Sequence, residues 1–159
     1  LAVQEVSKKS KVIVDIFGVA KDAEYGNTLH NLIEELGLSR VVTLKGWISN
    51  EDLRDKYKDY NLHVMSSLSE GMPRVCLEAS AQGIPQLVTP VGGIVDFFTH
   101  LHDAYITEDC SAESLQKGIE WFIANSQLTH GIAGNAIIGA KKSSVEIASK
   151  KINLLLENI

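Results

Sequence analysis

A segment in the middle of the chain repeats the order strand, polar loop, helix twice, and this repeat constrains the fold more than any other feature. The elements it predicts are strand 62–66, loop 67–72, helix 73–81, strand 86–89, glycine turn 90–93 and helix 94–98. Pro73 suits the first turn of a helix, and Gly83 suits a helix end. Strands joined by such crossovers run parallel, so both loops are expected at one edge of a sheet, where α/β proteins bind ligands.

The rest of the chain continues this alternation. The further predicted elements are strands 11–17, 41–45 and 103–107, a polar loop 21–27, and helices 28–36, 49–57, 111–123 and 135–157. Its 159 residues are enough for one domain with a real core. The predicted fold class is therefore α/β, a Rossmann-like parallel sheet of five to six strands with helices on both faces.

The central segment also carries chemistry that points to a ligand. A helix start presents unpaired amides and a positive dipole end, which suit a phosphate, and two such starts side by side suit a diphosphate. Gly71, Gly92 and Gly93 are expected to let the ligand approach the backbone. Two carboxylates, Glu70 and Glu78, are separated by seven residues. Carboxylates accept hydrogen bonds from hydroxyls, so the pattern fits a nucleotide-sugar.

The order and spacing of these residues resemble a known signature. Its parts here are Ser69-Glu70-Gly71-Met72-Pro73, Glu78-Ala79, Gly83-Ile84-Pro85 and Gly92-Gly93. They resemble the donor site of retaining glycosyltransferases with the GT-B fold, the group 1 or family 4 type with a Glu-x7-Glu motif. The resemblance implies the C-terminal half of a two-domain enzyme, whose N-terminal acceptor domain is absent from residues 1–159. It also implies that this part alone is inactive.

The same resemblance assigns roles to individual positions. Glu70 would orient the donor sugar and is the nearest to a catalytic residue, whereas Glu78 would bind the ribose hydroxyls. The donor-binding set it implies is Gly18, Gly46, Trp47, Ile48, Gly71, Met72, Pro73, Arg74, Val75 and Glu78. In this set the loop residues act through backbone amides. The Trp47 ring is expected to pack, while its backbone contacts the base.

Simpler interpretations stand beside these roles. Glu78 could be a surface residue paired with Arg74 at i,i+4, and Glu70 could be a loop acid that caps the next helix. Cys76 is expected to be a buried thiol, and His63 to be structural. Arg74 could add charge at the diphosphate, although this position is often uncharged in the family.

Composition narrows the class of protein. A net charge of −5 argues against a nucleic-acid binder. No residue spacing predicts a metal site or a cofactor, and no apolar run is long enough to cross a membrane. The expected partners are a nucleotide-sugar, with UDP before GDP, and a glycan, lipid-linked or small-molecule acceptor bound by the other domain. The expected location is cytoplasmic, with peripheral membrane association of the whole protein left open.

Two other functions remain open at this stage. One is a nucleotide-sugar epimerase on the same fold, and the other is a non-catalytic, glycosyltransferase-like interaction module. The sequence has no G-x-G-x-x-G after the first strand and no P-loop motif, which argues against nicotinamide, flavin and P-loop chemistry. The identity of the sugar, the acceptor and the oligomeric state do not follow from the sequence.

Overall fold

The computed structural model describes residues 1–142 as strands and helices in alternation. The helices are α1 Ala2–Ser7, α2 Ala23–Glu35, α3 Asn50–Lys56, α4 Arg74–Ala81, α5 Ile94–Phe97, α6 Ala112–Ala124 and α7 Ser126–Lys142, with a 3₁₀ turn at Tyr57–Asp59. The strands are β1 Val14–Phe17, β2 Val42–Gly46, β3 His63–Met65, β4 Gln86–Val88 and β5 Tyr105–Ile106. The predicted α/β class is confirmed.

All the strand pairs within residues 1–142 are parallel, as predicted. They form a two-stranded sheet, β1-β2, and a three-stranded sheet, β3-β4-β5. This differs from one continuous sheet of five to six strands, because within residues 1–142 no ladder pairs a strand of the first group with a strand of the second. A side chain connects the two groups: the Tyr60 hydroxyl, just before β3, donates to Asp15 of β1 at 2.6 Å.

Helix α2 begins five residues before its predicted start at Thr28. The segment assigned to a loop contains the cap, because the Asp22 carboxylate accepts a hydrogen bond from the Tyr25 amide at 2.8 Å. Asp is a preferred N-cap residue, and its oxygen satisfies one of the amides that a helix start leaves unpaired. The polar composition of residues 21–27 was therefore a helix-start signal, and the loop prediction is wrong from Ala23 onward.

Helix α7 likewise begins earlier than predicted, at Ser126 and not at residue 135. Asn125 leaves helical geometry at the end of α6, and the chain re-enters a helix at the next residue. Ile132, Ala133 and Ala136 give α7 a buried face, and α7 packs against α4. The predicted continuation to residue 157 lies outside the described residues.

The core lies directly beneath the central segment. One buried cluster joins α4 to the strands and α5; its members are Met65, Cys76, Val88, Val91, Ile94, Phe98 and Ala104. A second cluster, Tyr57, Ala79 and Ile84, lies next to it, because Ala79 and Cys76 are three residues apart on the same face of α4. Helix α4 thus has its small residues inside and its charged residues, Arg74 and Glu78, outside. Within residues 1–142, no helix is long and apolar enough to cross a membrane.

Candidate functional site: the donor edge of the sheets

The loop between β3 and α4 is held by hydrogen bonds from its own serine and from the next strand. Ser67 donates its hydroxyl to a Glu70 carboxylate oxygen at 2.8 Å, and buried Thr89 donates to the Ser67 carbonyl at 2.7 Å. The loop is therefore anchored to the carboxyl end of β4, while Glu70 itself remains exposed. Its carboxylate is positioned by Ser67, so the alternative that Glu70 caps α4 is wrong.

The start of α4 presents backbone amides to the outside. Pro73 is the N-cap, with an extended ψ of 105°. The first helical residue is Arg74, so the helix begins one position later than predicted. In the described part of the chain, no side chain caps this end of the helix. The amides of Arg74 and Val75 therefore face the loop as donors, and a helix start of this kind attracts an anion. Gly71 lies before it with open space where a Cβ would be, as far as the described atoms show.

The second glycine loop packs against the first. Gly93 donates its amide to the Gly71 carbonyl at 2.6 Å, and a Cβ on Gly92 would collide with the Glu70 and Gly71 carbonyl oxygens. The Met72 side chain also lies over Gly93. The first loop therefore fills the space where side chains at Gly92 and Gly93 would lie, while Gly92 itself remains exposed. The second loop supports the first, and the approach of a ligand to its backbone stays a prediction.

A cleft of about 230 Å³ opens between the starts of α3 and α4. It is lined by Asn50 and Arg54 from α3 and by Arg74 and Glu78 from α4. The guanidinium of Arg74 lies 3.8 Å from the Glu78 carboxylate, so the simple i,i+4 pair is present. The Arg74 side chain is 85% exposed, and pairs as exposed as this contribute about 0–1 kcal/mol. Glu78 is therefore available to a ligand at little cost.

Sequence reasoning missed Asn50 and Arg54, although a signal for them existed. Ser49 caps α3 by accepting from the Asp52 amide at 3.0 Å, and this helix start follows a parallel strand. The start of α3 must therefore lie at the same edge as the start of α4. The 49–57 helix was predicted, but its first turn was not considered as part of the site.

The loops after β1 and β2 meet each other at this edge. Gly18 donates its amide to the Gly46 carbonyl at 2.8 Å, and both glycines have positive φ angles, 136° and 72°. Trp47 follows and is 73% exposed. The expectation that this ring packs is wrong, since the ring stands in solvent, whereas Ile48 is half-buried. The structure thus brings Gly18 next to Gly46. Helix α3 follows the Gly46 loop along the chain, and Asn50 and Arg54 of this helix line the cleft.

Burial keeps two side chains protonated, those of Cys76 on α4 and of Tyr57 packed near it. Burial, together with the nearby Glu70 carboxylate, raises the pKa of the Cys76 thiol to about 12. Burial and the Glu78 and Cys76 charges raise the pKa of Tyr57 to about 12, and its hydroxyl points to the Val75 carbonyl at 3.5 Å. Both groups therefore stay protonated at neutral pH. Cys76 is an inert core thiol, as predicted, and Tyr57 supports the first turn of α4.

Other chemistry is sparse in the described residues. Residues 1–142 contain no group of three or more His, Cys, Asp or Glu side chains placed to hold a metal ion. A second cavity, of about 250 Å³, lies between α2 and β2, away from the predicted donor site. Among the described residues, the ionisable groups that line the cleft between α3 and α4 are Arg54, Arg74 and Glu78. The net charge of this cleft is therefore positive.

The sequence matches a known family along most of its length. Residues 1–139 match the family described as glycosyl transferases group 1. The chain belongs to this family. This group 1 glycosyltransferase chain is 25% identical over 138 residues, 86% of its length, to an uncharacterized glycosyltransferase of Methanocaldococcus jannaschii, of which it covers 35%. It is 33% identical over 89 residues, 56% of its length, to a mannosylfructose-phosphate synthase of Agrobacterium fabrum, of which it covers 20%.

Solved structures agree with this membership at the level of the fold. The Anabaena protein HepE, crystallised in complex with UDP, superposes with a TM-score of 0.87 at 23% identity. The alignment covers 99% of this group 1 chain and 44% of the Anabaena chain. The group 1 chain therefore spans 35% and 20% of the two curated relatives and less than half of this structural neighbour. The predicted family and fold are confirmed.

Proposed function

We propose that this chain is the donor-binding domain of a retaining hexosyltransferase, the C-terminal half of a two-domain GT-B enzyme. The observation that carries the proposal is the α4 start: an uncapped helix end with an oriented carboxylate, Glu70, before it and a second carboxylate, Glu78, in the cleft beside it. An anion at the amides would have one acceptor of hydroxyl hydrogen bonds on each side. A nucleoside diphosphate sugar has that order of groups.

The roles follow from this order. The amides from Gly71 to Val75 hold the diphosphate and the sugar, with added charge from Arg74. Glu78 accepts hydrogen bonds from the ribose hydroxyls and leaves its pair with Arg74 to do so. Glu70, held by Ser67, accepts from sugar hydroxyls and orients the sugar for transfer with retention of configuration. Gly18, Gly46, Trp47 and Ile48 face the base.

The leaving diphosphate is stabilised electrostatically, by helix amides and guanidinium groups that are oriented before the reaction. We propose that no metal and no other cofactor take part, because these donors supply the positive field that a cation would otherwise supply. The acceptor is a glycan, a lipid-linked sugar or a small molecule with a free hydroxyl, and it binds the N-terminal domain of the whole enzyme. Nucleic acid is not a partner.

UDP is the first nucleotide to test, since the Anabaena protein of the same fold was crystallised with it, and GDP is the second. The proposed location is cytoplasmic, where nucleotide-sugars are made and where the thiols of Cys76 and Cys110 stay reduced. The whole protein could still associate peripherally with a membrane that carries its acceptor.

A non-catalytic interaction module is the second candidate, and one observation favours it. Glu78 is already paired with Arg74, as it would be in a domain that no longer binds a donor. A nucleotide-sugar epimerase has no such observation in its favour. The donor-binding domain and the non-catalytic module differ in whether Glu78 contacts a ligand.

Calorimetric titration with UDP, GDP, ADP and NAD tests the proposal. We expect a nucleoside diphosphate to bind and the Glu78→Ala variant to lose about 1–3 kcal/mol of binding free energy, the cost of losing hydrogen bonds to a charged group. The matched control is Glu113→Ala, which removes the glutamate of another i,i+4 pair, with Lys117 on α6. If no nucleotide binds at millimolar concentration, or if Glu78→Ala binds like the wild type, the donor-site proposal fails.

A further inference from the structure

A hydroxyl group in the β3–α4 loop restrains the carboxylate that the proposed function assigns to the donor sugar. Ser67 Oγ donates to Glu70 Oε1 at 2.8 Å. We propose that Ser67 is a positioning residue: by orienting Glu70, it makes the domain bind a nucleotide-sugar more tightly than the nucleotide alone. This inference rests on the proposed function, which puts sugar hydroxyls at Glu70.

The backbone on both sides of Glu70 is held by other hydrogen bonds. Thr89, which is fully buried, donates its hydroxyl to the Ser67 carbonyl at 2.7 Å. Gly93 donates its amide to the Gly71 carbonyl at 2.6 Å. Neither bond uses the Ser67 hydroxyl. Removal of that hydroxyl is therefore expected to release the Glu70 side chain and to leave the loop backbone in place.

The orientation of the exposed Glu70 carboxylate depends on this one bond. Within residues 1–142, the Ser67 hydroxyl is the only hydrogen-bond donor to it. A free glutamate side chain samples several rotamers, and immobilising it when a ligand binds lowers the affinity. A carboxylate that is already oriented avoids most of this cost. The Ser67 bond occupies one of its roughly four lone-pair sites, so the others remain for sugar hydroxyls.

The Ser67 restraint acts on the contact with the sugar and not on the contacts with the phosphates. The donors at the α4 start are the backbone amides of Arg74 and Val75, and in the described part of the chain no side chain caps this helix end. The helix sets the position of these amides, so they do not depend on the Ser67 hydroxyl. Loss of the hydroxyl should therefore weaken the binding of a nucleotide-sugar and spare the nucleotide, whereas a purely structural role would change both affinities.

Calorimetric titration with UDP, UDP-glucose, UDP-galactose and UDP-N-acetylglucosamine tests this inference. We expect Ser67→Ala to bind the UDP-sugar that the wild type binds most tightly about three- to tenfold more weakly, the effect of immobilising one side chain. Its affinity for UDP should change less than about twofold. Ser67→Thr keeps a hydroxyl and should bind like the wild type. Ser66→Ala, which removes an exposed hydroxyl from the same loop, is the control.

A double-mutant cycle shows whether Ser67 acts through Glu70. In the Glu70→Ala background, Ser67→Ala should cause no further loss of UDP-sugar affinity, because the carboxylate that it orients is gone. If the two losses add, Ser67 acts independently of Glu70 and the inference is overturned.

The other contrary results separate this inference from the proposed function. If Glu70→Ala weakens UDP-sugar binding but Ser67→Ala does not, only this inference is overturned. The same holds if Ser67→Ala weakens UDP and the UDP-sugar equally, or if the wild type binds no UDP-sugar more tightly than UDP. If none of the four ligands binds the wild type, or if Glu70→Ala binds the UDP-sugar like the wild type, the proposed function and this inference fall together.

Discussion

His63 and Gln86 form a directed pair between neighbouring parallel strands. Gln86, which is fully buried, donates its Nε2 to the Ile84 carbonyl at 3.1 Å and so turns its Oε1 toward His63 Nδ1, 2.7 Å away. Because that oxygen can only accept, His63 carries its neutral-form proton on Nδ1. Burial lowers the pKa of His63, and the hydrogen bond to Gln86 opposes this only in part. The residue is structural, in keeping with the sequence interpretation.

This pair predicts a loss of stability in mild acid. The unfolded chain protonates His63 near pH 6.5, whereas the folded chain keeps it neutral to a lower pH. The free energy of unfolding therefore decreases as the pH falls below about 6.5, by at most about 1.4 kcal/mol per pH unit from this group, until the pH passes the folded pKa. Urea titrations between pH 5 and 7 measure the slope.

The comparison variant for this prediction is His63→Asn, whose amide can donate to Gln86 but does not titrate. Its stability should fall less steeply with acid than that of the wild type. His30→Gln, which replaces an exposed histidine, should keep the wild-type slope. Equal slopes for His63→Asn and the wild type would show that His63 does not contribute to the acid sensitivity.

The β3–α4 loop and the β4–α5 loop pack together and form one structural unit at the candidate site. The β4–α5 loop supports the β3–α4 loop through the bond from Gly93 to Gly71 and through the close approach of Gly92 to the Glu70 carbonyl. Thr89 adds a third link, from the end of β4 to the Ser67 carbonyl. The glycines of the second loop thus help to hold Glu70 in position.

A Gly92→Ala substitution should therefore destabilise the protein. Its φ of 52° costs an alanine about 1–2 kcal/mol, and the new Cβ would also collide with backbone oxygens of the first loop. We expect a loss of about 2 kcal/mol or more in the free energy of unfolding, measured by urea titration. Gly71→Ala is the control, because no described atom would meet its Cβ. Similar losses for the two variants would contradict the supporting role of Gly92.

At the scale of the whole molecule, the edge that carries the proposed donor site is open. Glu70, Gly71, Met72 and Arg74 are all exposed, and the α3–α4 cleft faces solvent. Enzymes that transfer a group to a chosen acceptor exclude water from the reacting atoms, usually by closing a domain or a loop over the substrate. The chain spans 35% and 20% of the two curated relatives, so the activity of the whole protein is a proposal.

We predict that the 159-residue chain binds a donor without transferring its sugar. The physical reason is that donor contacts alone bind the ground state, and only interactions gained in the transition state accelerate the reaction. Purified chain incubated with UDP-sugars should release no UDP above the buffer background, whereas a full-length protein containing it should do so with its acceptor. Sustained release by the chain alone would contradict this prediction.

The sequence by itself determined the α/β class, the parallel order and the family, because hydrophobic runs, helix stops and the spacing of Glu70, Gly71, Pro73 and Glu78 are local features. It also placed Cys76 in the core. Only the tertiary structure decided that the space at Gly92 is filled by the first loop, that the Trp47 ring is exposed, and that Asn50 and Arg54 share a cleft with Glu78. These depend on contacts between segments far apart along the chain, which no local pattern encodes.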